Sequence, residues 1–164
     1  MLVRLAGLVE ESIVDGPGYR LAIFFQGCPH ACIGCHNPKT HDLRGGYEAD
    51  TDEIVKKIRQ SSYIDGITLT GGEPLLQPRQ ALAFARAAKE KGLSVWLYTG
   101  FVYEDISDAE TLELLKQVDV LVDGKFEIKL KSLELSFRGS SNQRLIDVQQ
   151  SLKLGKTVLL SELD

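Results

Sequence analysis

The apolar positions of this chain fall into short runs separated by polar, glycine-bearing junctions. Residues 20–26, "RLAIFFQ", read as a buried strand that runs straight into Gly27. The period then changes. Asp50 suits a helix N-cap with Glu53 three positions on, and Ile54, Val55 and Ile58 form one apolar face. "GITLT" (66–70) is rich in β-branched residues and ends at Gly71 and Gly72. Pro78 fits the first turn of a helix whose apolar side is Leu82, Ala85 and Ala88, with Gly92 just past its end. "SVWLY" (94–98) is the next strand. Ser107 with Glu110 predicts another capped helix, bearing Leu112 and Leu115, and "VDVLV" (118–122) returns to strand. Beyond residue 125 the alternation weakens. "LELSF" (133–137) predicts one more strand, and the last two dozen residues carry no clear period.

Strand, helix, strand, helix, strand implies βαβ units around a parallel sheet. The 164 residues amount to one domain, 1–164, too short for the roughly 250 residues of eight βα units. The expected fold class is therefore α/β: a partial barrel or open, mostly parallel sheet with an irregular C-terminal extension. Ligands gather at the carboxyl ends of such strands. Those ends carry Gly27-Cys28, Thr70-Gly71-Gly72-Glu73, Tyr98-Thr99-Gly100 and Asp123-Gly124. One glycine there is an ordinary βα turn, whereas four in succession around one rim point to a site.

Charge and composition narrow the classes. The net charge is −4 and no basic face is evident, which argues against nucleic acid as a partner. The longest apolar runs are strand-length, so no membrane span is expected. The N-terminal stretch "MLVRLAGLVEES" meets acidic residues early and does not read as a signal peptide. A reducing, cytoplasmic setting is the expectation, where clustered thiols mean metal or redox chemistry more often than disulfides.

All three cysteines lie in "GCPHACIGCHNP", as Cys28, Cys32 and Cys35. Three thiols cannot pair off, and a closed zinc site takes four ligands. Three readings follow from the spacing: inert buried cysteines; a Cys3His zinc site with His30, His36 or His41 as fourth ligand; or a 4Fe–4S cluster with one iron left open.

Cys28-x3-Cys32-x2-Cys35 resembles the signature of the radical S-adenosylmethionine superfamily, and "GGEP" (71–74) resembles its glycine-glycine-glutamate motif. "VDGPGYR" (14–20) is similar to the motif shared by activases of glycyl radical enzymes. Within that group "LYTGF" (97–101), "DVLVDGKF" (119–126) and, most specifically, "RGSSNQR" (138–144) resemble the activases of anaerobic ribonucleoside-triphosphate reductases. The resemblance runs from about residue 3 to residue 148.

The resemblance implies a partial barrel of radical SAM type and an oxidoreductase. Cys28, Cys32 and Cys35 would hold a 4Fe–4S cluster with one open iron. S-adenosyl-L-methionine would bind there and be cleaved reductively to a 5′-deoxyadenosyl radical. Gly71, Gly72 and Glu73 would meet the methionine moiety, with Glu73 accepting from its amino group. Gly34, Cys35 and His36 would lie beside the adenine, and Tyr98, Thr99 and Asp123 near the ribose or just behind it. Lys125, two residues beyond Asp123, has two readings, a partner of the cofactor carboxylate or a solvated surface cation. The superfamily commonly has an aromatic residue just before the third cysteine; this chain has Gly34 there and a ring at His36. The implied partners are the large anaerobic ribonucleoside-triphosphate reductase, whose glycine α-hydrogen would be abstracted, and a flavodoxin-like electron donor. Arg138 and Arg144, framing "GSSN", are candidate partner contacts. The alternatives are an activase of formate-lyase type and a non-catalytic, zinc-stabilised binding module.

Overall fold

The computed structural model describes residues 1–160; the last four residues of the expected 1–164 domain lie outside the described residues. One seven-stranded sheet organises them. Its strands are β1 (Leu2–Ser12), β2 (Arg20–Phe25), β3 (Tyr47–Asp50), β4 (Gly66–Gly71), β5 (Ser94–Tyr98), β6 (Val120–Asp123) and β7 (Arg144–Asp147), in the order β3-β1-β2-β4-β5-β6-β7. The central four, β2, β4, β5 and β6, run parallel. On one side β1 pairs antiparallel with β2, and β3 antiparallel with β1, so β3 again runs with the central four; on the other side β7 pairs antiparallel with β6. The sheet does not close, as expected for a partial barrel.

Three helices join these strands, α1 (Thr51–Gln60), α2 (Pro78–Glu90) and α3 (Ala109–Leu115), and α4 (Val148–Leu154) follows β7. Asp50 caps α1 as its sequence predicts, accepting from Asp52 N–H. α3 is capped one residue later than expected. Asp108, not Ser107, accepts from Thr111 N–H and from the Thr111 hydroxyl. The buried face of α3 is consequently Leu114 and Leu115, with Leu112 exposed.

Alternation along the parallel strands builds two cores. Leu21, Ile23, Phe25, Ile67, Leu69, Val95, Leu97 and Leu121 share one core with Ile54, Ile58, Phe84 and Leu114 of the helices. Trp96, Val120, Val122 and Leu145 form a smaller cluster on the other face, against Tyr98, Phe137 and Leu160. Helices thus cover one face, and the other remains partly open.

The C-terminal third departs most from expectation. Residues 133–137 form turns rather than a strand, with Leu133 91% exposed. Residues 124–143 instead fold into an irregular cover, which the side chains of "RGSSNQR" hold. Gln143 accepts from the N–H groups of Gly139 and Ser140 and donates to Gly124 O; Asn142 donates to Lys125 O.

A thiol-lined cleft at the ends of the parallel strands

The open face of the sheet carries a cleft of about 970 Å³. Its walls combine three of the expected strand ends, the cysteine loop and the cover. Cys28, Cys32, Cys35 and His36 line it, as do Gly71, Gly72, Tyr98, Thr99, Gly100 and Lys125. Its other end reaches Ser12, Ile13, Val14 and Asp15 at the close of β1.

All three thiols are half-buried and unpaired with one another. The loop is closed at its base, where Gly27 and Cys28 N–H donate to Thr40 and His41 carbonyls. Within it Cys35 N–H donates to Cys32 O, and Asn37 N–H reaches the Cys35 sulfur at 3.4 Å. Burial pushes the Cys28 thiol up from its ordinary value, with Glu73 and Cys32 adding to the rise and backbone N–H groups opposing it. A bound cation would reverse that balance, because it favours the thiolate.

Among the described residues no three His, Cys, Asp or Glu side chains are gathered tightly enough to hold a single metal ion. Two of the histidines weighed as a fourth zinc ligand are engaged elsewhere. His30 is bonded to Glu73, and His36 packs on Phe126 at 5.3 Å. In donor chemistry and placement the thiols do fit an iron–sulfur cluster: three soft sulfur donors, the chain's full complement, stand on one loop at the wall of a cleft with room beside them.

Other expected site residues are used differently. Glu73 is fully buried and does not belong to the cleft wall; its carboxylate is taken up by His30, Thr99, Gly100 and Leu75. Asp123, 1% exposed, is likewise off the wall. It accepts from Arg144 Nε at 3.0 Å, from Arg144 Nη2 at 2.5 Å and from Tyr103 N–H at 2.8 Å. Arg144 thereby buttresses β6, and Glu104 binds its outer edge. Gly34 sits beneath the cover, where a β-carbon would stand 2.6 Å from Ile128 Cδ1.

Gly71 and Gly72 line the cleft, but their immediate need for glycine is protein packing. Gly71 has φ +99° and a β-carbon there would meet the Phe25 backbone at 2.5 Å; at Gly72 it would meet Gly27 O at 2.3 Å. The glycine pair thus presses the end of β4 against β2 and the base of the cysteine loop. Tyr98 donates to Phe137 O, tying β5 to the cover, and burial raises its phenol well above the ordinary value. Sequence reasoning did not foresee Phe126, Phe137 and Gln143 on the wall. The aromatic after Gly124-Lys125, beside a strand-end glycine, was the signal for the first.

Residues 14–146 match the family described as a 4Fe–4S single cluster domain. The anaerobic ribonucleoside-triphosphate reductase-activating protein of Enterobacteria phage T4 is 43% identical over 139 residues, covering 80% of this chain and 86% of that protein. The chain belongs to the family of anaerobic ribonucleoside-triphosphate reductase-activating proteins. The Escherichia coli K12 protein of that name is 36% identical over 140 residues, covering 80% of this chain and 90% of its relative. A pyruvate formate-lyase-activating enzyme from Clostridium pasteurianum is 39% identical over 129 residues, which span 74% of this chain but 52% of that enzyme. Among solved structures, Escherichia coli QueE superposes with a TM-score of 0.52 at 16% identity, covering 75% of this chain and 71% of that one, a likeness of fold. Family membership accounts for the thiol loop and cleft together.

Proposed function

We propose that this chain is a radical S-adenosylmethionine activase that generates a glycyl radical on an anaerobic ribonucleoside-triphosphate reductase, with the electron supplied by a flavodoxin-like donor. The observation that carries the reading is the placement of all three thiols on one loop lining one cleft at the carboxyl ends of the parallel strands. Cys28, Cys32 and Cys35 are the proposed ligands of a 4Fe–4S cluster with one open iron. That group, with S-adenosyl-L-methionine bound to it, supplies one-electron cleavage of a carbon–sulfur bond and the radical that follows.

The chain's own residues bind, orient and exclude. Lys125 on the wall offers a cation to a carboxylate, and the backbone of Gly71 and Gly72 offers polar groups free of side chains. His36, held against Phe126, and the aromatic rings of Phe24, Tyr98 and Phe137 give the cleft apolar walls that suit a purine. Phe126 and Ile128 of the cover pack over the cysteine loop at His36 and Gly34, which limits water at the thiols.

The test is anaerobic reconstitution with iron and sulfide, followed by reduction, addition of S-adenosyl-L-methionine and measurement of 5′-deoxyadenosine. A glycyl radical signal on the reductase, and none on a formate lyase, is expected. A signal on the lyase alone would transfer the chain to the other branch of the activases, which the Clostridium relative represents. Stoichiometric zinc with no cluster loading would restore the binding-module alternative.

A further inference from the structure

We propose that Glu73 is a positioning residue: through His30 it fixes the cysteine loop to the end of the parallel sheet, and it is not a contact of the bound cofactor. The inference rests on the proposed ligand role of the three cysteines.

The carboxylate has about four lone-pair sites, and protein donors take all of them. Oε1 lies 2.5 Å from His30 Nε2 and 2.8 Å from Gly100 N; Oε2 lies 3.1 Å from Leu75 N; the Thr99 hydroxyl is 2.9 Å from both oxygens. With the carboxylate ionised, the bond is one donated by His30 Nε2–H, since an ionised carboxylate only accepts. The Glu73 side chain is 0% exposed and that of His30 6%. Neither a free acceptor site nor an open path remains for an incoming ammonium.

His30 stands between Cys28 and Cys32, two residues from each. Its ring lies edge-on to Phe101 at 4.7 Å and so close over Gly100 that a β-carbon there would come within 2.4 Å of it. Among the described residues of 29–34, His30 is the one whose side chain bonds outside the loop. The next residue, Ala31, has φ +49°, a left-handed conformation that persists only where its surroundings over-determine it. The His30–Glu73 bridge supplies that constraint. It sets the course of the loop between the first and second thiols without touching a sulfur.

The test compares His30→Phe, which keeps a ring against Phe101 and Gly100 but removes the donor, with Glu73→Gln and the double variant. Hydrogen exchange of residues 28–35 in the full-length, metal-free chain should quicken about tenfold in each single variant, as expected when one charge-assisted hydrogen bond is lost. The double variant should exchange no faster than the singles, because both remove one bridge. After reconstitution, iron per chain should fall, while the loaded fraction keeps an S-adenosyl-L-methionine affinity within about twofold of the parent. Glu73→Gln that leaves loop exchange unchanged but weakens cofactor binding tenfold would make Glu73 a cofactor contact and overturn the proposal. Unchanged exchange and unchanged loading would overturn it equally. Should Glu73→Gln fail to fold cooperatively, His30→Phe, which leaves the other donors in place, decides alone. The exchange result stands apart from the functional reading, which would instead fail if Cys32→Ala loaded iron normally.

Discussion

Loop 13–19 and the cysteine loop both contribute to one cleft, yet they are secured by opposite means. The first is pinned from below by Arg20, which is fully buried at the start of β2. All five of its N–H donors are used: Nε to the Thr68 hydroxyl, Nη1 to Pro17 O and the Ser94 hydroxyl, Nη2 to Ile67 O and Ser94 O. The guanidinium also lies 5.8 Å over Trp96. Burial lowers its pKa to about 10, so it stays charged at neutral pH. The cysteine loop, by contrast, is closed at its base and tied at His30, leaving half-buried sulfurs on the wall. One loop commits its polar groups to rigidity; the other leaves its sulfurs half-buried on the wall, touched by backbone N–H groups of their own loop. Sites that must accept an outside ligand are held at their margins and left open at their donors.

The contrast can be broken most sharply at the thiols. Cys28→Ala, Cys32→Ala or Cys35→Ala should each abolish formation of 5′-deoxyadenosine while thermal unfolding stays close to the parent; full product from one variant would remove that sulfur from the set. At the other loop the order reverses. Arg20→Met orphans several buried acceptors and should cost at least about 3 kcal/mol in urea unfolding. A smaller effect is expected from Gln143→Leu, which frees the cover from Gly124, Gly139 and Ser140 at about 1–3 kcal/mol. Faster exchange of residues 125–140 would confirm where that loss falls.

The smallest effect is at Glu104. Hydrogen bonds from Arg144 first, and Thr157 second, bring its carboxyl from the ordinary 4.5 down to about 2. A depressed folded-state value contributes stability that is fully present above the unfolded value. That contribution is lost as pH falls through the window from about 4.5 to about 2. Glu104→Gln should flatten the stability profile within that window and leave it unchanged above it, as followed by circular dichroism during acid titration. Exposure of both partners keeps the magnitude modest.

How much of this was legible in the sequence follows from how local each signal is. β2, β4, β5 and β6 were visible as compact apolar runs, and α1 and α2 through their caps and faces. The Leu2–Ser12 strand was missed because its outer half is exposed and irregular in register, so apolar and polar positions do not alternate cleanly. β7 and α4 are short, and pairing with β6 decides them rather than local preference. The expected strand at 133–137 had the right residues but no neighbour to bond, and Leu133 points to solvent. At the site, the thiols and the glycine rim were readable because spacing encodes them. The protein partners of Glu73 and Asp123 were not legible, because sequence marks a carboxylate at a strand end without saying which donors will claim it. Those donors, His30 for one and Arg144 for the other, come from 43 and 21 residues away.

Trp96, the chain's only tryptophan, lies at the junction of these parts, beneath the Arg20 guanidinium and 5.3 Å edge-on to Phe137 of the cover. The molecule therefore carries its own optical gauge. Displacement of the cover strips one neighbour from the indole, and loosening of loop 13–19 alters the charge above it. Emission intensity and wavelength should then report the two walls separately, with no added dye and no second fluorophore of its kind to subtract.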